Sequence, residues 1–294
     1  MRFGIIGNTS KPIIREVGLN LLAFLRAKQA PYALARELGN CLNQAGISPK
    51  IEPGLMCSET ELVNQCDTLI ALGGDGTMLT AARLVGDTGI PILGVNLGKL
   101  GFLAEVSIEE MRPCLDALLA GNVFIESRMV LQAKGNDGRV YFGLNDIVVD
   151  KAASPRVIHL ETYVDNEYLV TYSADGIIIT TPTGSTAYSL AAGGPIVVPQ
   201  SSVITINPIA PHTLTARPVI VPESSTIRVV VSSSTTSVHI TADGQVEGFY
   251  ATPTEFLIAK APYAIKLVKR YGHTYYDLLR AKLMWGRDIR MERK

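Results

Sequence analysis

Apolar residues run along this chain in two different rhythms. Up to about residue 125 the pattern alternates between strand and helix signals. Thr68–Leu72 and Pro91–Val95 are continuous apolar runs, as in parallel strands buried on both faces, and Arg2–Gly7 is a shorter strand candidate. Helical patterns cover Glu16–Lys28, Pro31–Ala45, Met78–Val85 and Ile108–Ala120. Such alternation predicts an α/β N-terminal domain with an open, mostly parallel, Rossmann-like sheet, its ligand at the carboxyl ends of the strands.

The second rhythm is that of β-branched residues and turns. Val157–Val164 meets an Asp165-Asn166 turn and a further strand. Thr226–Val231 and Ser237–Ile240 flank a Ser/Thr loop and predict a hairpin, and Phe256–Ala259 and Ala264–Val268 add two strands. This half predicts a β-rich sandwich as the C-terminal domain. Tyr275–Trp285 is amphipathic and reads as a helix covering part of a core. The expected domains are 1–125, 126–270 and a helical segment 271–294 packing back on the first domain. There is no internal repeat and no low-complexity linker.

Composition narrows the classes of function. With 294 residues the chain can bury a substantial core without disulfides or structural metal. Its formal net charge is zero, so no whole-molecule field draws it to nucleic acid or an anionic membrane. Cys41, Cys57, Cys66 and Cys114 form no Cys-x-x-Cys pair, and His159, His212, His239 and His273 are scattered, so neither a disulfide framework nor a zinc site is legible. The amino terminus has no signal-peptide layout, and Leu19–Leu25 is too short to span a bilayer. The expectation is a cytoplasmic protein with neither nucleic-acid nor membrane partners.

Two segments carry chemistry. In the first, an apolar run enters Gly73-Gly74-Asp75-Gly76 and good helix formers follow from Met78. Glycines allow close approach of a ligand, and a helix starting there aims free N–H groups and its positive end at phosphate. A carboxylate beside phosphate is repulsive unless it holds a metal ion or takes a proton from an attacking hydroxyl. The plainer reading is a tight turn with Asp75 as helix N-cap. No Lys-Ser/Thr ending follows, so a Walker-type loop is not supported, and Gly4-Ile5-Ile6-Gly7 lacks the spacing of a dehydrogenase fingerprint. In the second segment, Asp175–Thr180 leads into Thr181-Pro182-Thr183-Gly184-Ser185-Thr186-Ala187-Tyr188-Ser189-Leu190-Ala191. Its small, hydroxyl-rich residues offer backbone groups to a ligand, and Tyr188 offers an aromatic plane to stack on a base.

These segments, with Asn96-Leu97-Gly98-Lys99-Leu100-Gly101-Phe102-Leu103, Leu144-Asn145-Asp146, Pro211–Pro218 and Asp243-Gly244-Gln245, closely resemble the NAD kinases, most of all the bacterial ones. The motifs come in family order over nearly the whole chain. The resemblance implies Mg²⁺-dependent transfer of a phosphoryl group from ATP, or polyphosphate in some members, to the 2′-hydroxyl of the adenosine ribose of NAD. It also implies a homodimer or homotetramer. It makes Asp75 the catalytic residue and places Asp75 and Gly76 against the ligands. Dinucleotide contacts carry over to Asn145 and Asp146, where Asp replaces the commoner Glu and is one methylene shorter. Further contacts carry over to Arg156, Asp175, Thr186, Ala187, Tyr188, Ser189, Leu190, Ala191 and Gln245. No residue is assigned as a metal ligand, and Lys99, Arg217 and His212 read as structural or solvated. Two alternatives share parts of the pattern: a lipid kinase of the diacylglycerol-kinase type, which has Gly-Gly-Asp-Gly alone, and a dinucleotide sensor without activity.

Overall fold

The computed structural model describes residues 1–44, 50–233, 237–269, 271–272 and 274–285. The first part of the chain forms β1 (Phe3–Gly7), α1 (Ile14–Ala27), β2 (Tyr32–Ala35), α2 (Arg36–Gln44), β3 (Met56–Cys57), α3 (Glu59–Val63), β4 (Thr68–Gly73), α4 (Asp75–Val85), β5 (Ile92–Asn96) and α5 (Met111–Leu119). A run of strands follows: β6 (Phe124–Gly135), β7 (Val140–Gly143), β8 (Asp146–Asp150), β9 (Ile158–Val164), β10 (Glu167–Ala174) and β11 (Gly176–Thr180). After the short α6 (Tyr188–Ala191) come β12 (Val203–Ile209), β13 (Val219–Pro222), β14 (Ile227–Ser232), β15 (Ser237–Ala242), β16 (Val246–Ala251), β17 (Thr254–Lys269) and α7 (Tyr275–Leu283). The chain divides into two compact units, Met1–Ser127 with Lys266–Lys294, and Arg128–Ile265.

In the first unit the strands pair in parallel, in the order β17-β5-β4-β1-β2-β3. Phe3, Ile5, Ile70, Leu72, Leu93 and Val95 line one face of this sheet in a single cluster to which α1 adds Leu21, Leu22 and Leu25, and the alternate residues Ile6, Leu69, Ala71 and Ile92 are buried as well. Each such side chain contributes about 1.5–3 kcal/mol relative to an exposed one, which sets the register of the sheet. The neighbours β1 and β4 mark the reversal of strand order. The chain leaves β1 for β2 on one side and leaves β4 for β5 on the other.

The expected helix Pro31–Ala45 is a correction. Tyr32-Ala33-Leu34-Ala35 is a strand, paired Phe3↔Tyr32 and Ile5↔Leu34, and the helix runs only over Arg36–Gln44. All four residues are buried, so ladder hydrogen bonds and packing override the helix propensity of Ala and Leu. Ala45 lies outside the described residues.

The second unit holds two antiparallel sheets, β10-β9-β14-β17 and β13-β12-β11-β8-β15-β16. Ile158, Leu160, Ile227, Val229 and Phe256 of the first face the same core as Ile147, Val149, Ile177, Ile179 and Ile240 of the second. The turn at Asp165-Asn166 has positive φ at both residues, as a two-residue hairpin demands. The hairpin expected from Thr226–Val231 and Ser237–Ile240 does not form: β14 pairs with β9 and β17, whereas β15 pairs with β8 and β16. Both strands bury alternate residues in one core from opposite sheets, so their shared period says nothing about mutual pairing. The intervening positions 234–236 lie outside the described residues, as does the chain beyond 285. Phe256–Ala259 and Ala264–Val268 are parts of the single strand β17.

Candidate active site

In the first unit, β4 ends at Gly73 and α4 begins at Asp75, with Gly74 as N-cap and no side-chain cap. Asp75 is therefore the first helical residue, and the N-cap reading of its side chain falls. Its carboxylate turns to the loop after β5. Oδ2 accepts the Phe102 N–H at 2.8 Å, and Oδ1 accepts those of Leu103 and Ala104 at 2.9 and 3.1 Å. A Cβ on Gly101 would stand 2.0 Å from Oδ1, so only glycine permits this approach. The loop is held by Asn96, whose side-chain amide donates to the Lys99 and Ala104 carbonyls while its oxygen accepts the Gly98 N–H. A carboxylate offers about four lone-pair sites, so three amides leave about one, on Oδ2, for a ligand hydroxyl. Gly76 is exposed beside it.

In the second unit, Leu144, Asn145 and Asp146 form the entry to β8, and Asp243 holds them. Asp243 Oδ2 accepts the Leu144 N–H at 2.8 Å, and Oδ1 accepts those of Asn145 and Asp146 at 2.7 and 3.1 Å. Asp243 and Gly244 both have positive φ, the turn that aims this carboxylate back at the loop. The Asp146 side chain is buried, at 4% exposure. Burial, with a smaller push from the Asp243 carboxylate, raises its pKa to about 7.

Tyr188 stands half-exposed at the start of α6. Its phenol is pushed up by burial, then by the negative charges of Asp150, Asp146 and Asp175, so these groups face one region. Asp175 pairs with Lys151 at 2.6 Å, and Asp150 faces His239 at 3.3 Å. Thr186, Ala187 and Leu190 are partly exposed, Ala191 and Gln245 exposed, and Arg156 stands exposed in the loop before β9. Ser189 is turned inward, its hydroxyl accepting from the Asn207 amide.

The hydroxyl-rich character of 180–186 has an internal explanation. Thr181 Oγ1 donates to the Leu144 carbonyl, Thr180 Oγ1 to the Asn145 carbonyl, and Ser185 bonds to Pro182 and Val197. A Cβ on Gly184 would meet the Asn145 carbonyl oxygen at 2.1 Å. The segment thus buttresses the Asn145-Asp146 loop, and Tyr188 with its immediate neighbours is what it presents outward.

Sequence reasoning missed Lys151, Asp150 and the carboxylate role of Asp243. The Asp-Gly turn signal at 243–244 was the available clue for the last. Arg217 donates to the Leu214 and Ala216 carbonyls, and His212 and Lys99 are exposed. Among the described residues no group of three or more His, Cys, Asp or Glu could hold a metal ion, and no helix is long and apolar enough to cross a membrane.

The first unit holds a glycine-framed carboxylate at the end of a parallel strand, and the second presents an aromatic plane among carboxylates. Residues 3–123 match the ATP-NAD kinase N-terminal domain, and residues 144–270 the ATP-NAD kinase C-terminal domain. The chain belongs to the NAD kinase family. It is 42% identical over 293 residues to an NAD kinase of Moorella thermoacetica, covering 97% of this chain and 90% of that one. It is 40% identical over 294 residues to one of Bacteroides fragilis, covering 99% and 100%. In three dimensions it resembles a yeast NADH kinase solved with NADH, with a TM-score of 0.88 and 28% identity over 99% of this chain and 89% of that chain. An NAD kinase from Archaeoglobus fulgidus shares the fold, with a TM-score of 0.74 and 22% identity over 96% of this chain and 98% of that chain. Matches to both domain models set aside the lipid-kinase alternative, which shares only the Gly-Gly-Asp-Gly segment.

Proposed function

We propose that Asp75 is the carboxylate that orients the attacking hydroxyl in the family's reaction, transfer of the ATP γ-phosphoryl group to the adenosine-ribose 2′-hydroxyl of NAD. The observation that carries this role is the grip of three consecutive amides on Asp75, which fixes both oxygens and leaves one acceptor position for the incoming O–H. A ribose hydroxyl is a poor nucleophile, and transfer through a loose transition state gains more from positioning than from full deprotonation. The uncapped start of α4 and the glycine backbone suit the donor phosphates.

On the acceptor side we assign dinucleotide contacts to Asn145, Asp146, Asp175, Tyr188 and the outward groups of 186–191, with Gln245 and Arg156 at the margin. Ser189 serves by fixing that segment from inside. A divalent cation, normally Mg²⁺, travels in this reading on the donor phosphates and offsets their charge. Such a cation needs only one or two protein oxygens. Four free cysteines suit a reducing cytoplasm, and a homodimer or homotetramer is the expected assembly, to be read by light scattering.

The decisive experiment is incubation of the purified protein with NAD, Mg²⁺ and either ATP or polyphosphate, with NADP measured by a coupled NADP-specific dehydrogenase. NADP formation dependent on the donor is the expected result. Dinucleotide binding without NADP would favour the sensor.

A further inference from the structure

The amides that grip Asp75 belong to a loop that leaves the end of β5 and returns to lie along the same strand. The return is anchored at Val106, which bridges Val95 in parallel. Its N–H donates to the Gly94 carbonyl at 3.4 Å, and its carbonyl accepts the Asn96 N–H at 2.7 Å. Gly94 lets the loop come this close: a Cβ there would stand 3.1 Å from the Ala104 Cα and 2.5 Å from the Met78 sulfur. Apolar packing does not clamp the loop completely from below. A cavity of about 30 Å³ remains beneath it, lined among others by Met78, Gly94, Leu103, Val106 and Leu267.

Between the last gripping amide, that of Ala104, and the anchor at Val106 stands Glu105, and a buried cation holds it. Lys269 closes β17, two residues past the Leu267↔Ile92 pairing of that strand with β5. Its side chain is 8% exposed. The ammonium pairs with the Glu105 carboxylate and lies 3.6 Å from Glu126 Oε2 on β6. A buried ammonium is costly unless it is paired, and of these two partners Glu105 is the one that belongs to the loop. A core strand thus sets a fixed charge against the side chain next to the grip on Asp75.

We propose that Lys269 is a positioning residue for the phosphoryl transfer, acting through Glu105 on the loop whose amides orient Asp75. The proposal rests on the reading of Asp75 above and extends it to a side chain outside the site. Misplacing a reacting group by about 1 Å costs up to about 10²-fold in rate, so the effect falls on kcat and not on NAD binding.

The test compares the wild type with Lys269→Met, Lys269→Arg and Glu105→Ala, each alone and combined with Asp75→Asn. The expected result is a kcat lowered about 10–100-fold in Lys269→Met and Glu105→Ala, a KM for NAD within about twofold, and partial recovery in the arginine variant, which restores the charge. Glu105→Ala leaves the ammonium beside Glu126 and carries the prediction if Lys269→Met does not fold. In the Asp75→Asn background the same changes should lower kcat by less than about twofold, because residues acting as a unit are not additive. Losses that multiply in that background, or an unchanged kcat in Glu105→Ala, overturn the proposal. A purely structural pair would lower the melting temperature and leave kcat per folded molecule untouched. If the wild type makes no NADP, the kinase reading fails, and amide exchange still decides the hold of Lys269 on the loop. The Phe102, Leu103 and Ala104 amides should then lose protection by about tenfold in Glu105→Ala and Lys269→Met, with the Leu144, Asn145 and Asp146 amides held by Asp243 as the unchanged reference. Equal protection of 102–104 in variants and wild type refutes it.

Discussion

Asp146→Asn should stabilise the protein at alkaline pH and weaken it as a catalyst. Asp146 is 4% exposed, and burial raises its pKa from an ordinary 3.8 to about 7. The folded state therefore keeps this proton at pH values where the unfolded chain has lost it. Protonation favours folding, so the contribution of Asp146 is fullest below about pH 4, declines as pH rises towards about 7, and is level above that. About three pKa units at 1.36 kcal/mol each give a ceiling of roughly 4 kcal/mol for the penalty at pH 8. A buried asparagine amide avoids this penalty but costs about 1–3 kcal/mol if unsatisfied. The net gain expected at pH 8 is then about 1–3 kcal/mol, and near pH 4, where the penalty vanishes, the amide cost leaves a loss of about 1–3 kcal/mol.

The assay is thermal unfolding of the wild type and Asp146→Asn from pH 4.5 to 8.5, reading the transition of the second unit. At about 2–4 °C per kcal/mol, the difference in midpoint should grow in favour of the variant by several degrees across this range. Subtracting the wild type removes every other titrating group common to both. A difference that stays flat with pH, or shrinks as pH rises, refutes the account of a carboxylate whose charge the fold resists. The same substitution should raise the Kd for NAD, because the proposed contact loses its charge. Natural sites often keep such a destabilising group for function.

Asp75→Asn should lower kcat by about 10²–10⁴-fold with NAD still bound, and near-normal turnover in stopped assays would remove Asp75 from its catalytic role. Asn145→Ala and Tyr188→Ala should weaken NAD binding by about tenfold each, and unchanged dissociation constants by calorimetry would refute the acceptor-side map. Gly184→Ala places a methyl 2.1 Å from the Asn145 carbonyl oxygen, a backbone atom that cannot move aside alone. It should cost about 1–3 kcal/mol in urea unfolding and raise the KM for NAD, and a variant matching the wild type in both would show that the buttress is not needed.

What the sequence disclosed depended on whether a signal was local. The runs at Thr68–Leu72 and Pro91–Val95 were legible because a strand buried on both faces needs no partner to look apolar. Tyr32–Ala35 was not, since Ala and Leu favour helices and only pairing with β1 makes the segment a strand. The β14 and β15 strands carry correct strand signals, but which sheet each joins is a non-local matter. At the site, Asp75 was found from its glycines, whereas its partners lie 27–29 residues downstream and act through backbone N–H groups that have no residue signature. The partners of Thr180 and Thr181 were hidden for the same reason: the acceptors of their hydroxyls are carbonyls of a loop 35–37 residues upstream.

Asp75 and Asp243 solve one structural problem in two units. In each, Oδ2 accepts the first of three consecutive N–H groups and Oδ1 the next two. The shared device freezes a glycine-containing or entry loop around a carboxylate without spending a side chain of that loop. The consequences diverge because of what each loop displays. The loop held by Asp243 carries Asn145 and Asp146, so Asp243 acts through them and its loss would move the two proposed ligand contacts together. The loop held by Asp75 contributes only backbone to the arrangement, so Asp75 itself is what the arrangement presents. An asparagine at 75 would set its NH₂ group against one of the three N–H donors, and the loop would shift as well as the charge. A large loss of turnover in Asp75→Asn therefore measures orientation and charge together, in keeping with a transfer reaction whose barrier is lowered mainly by position.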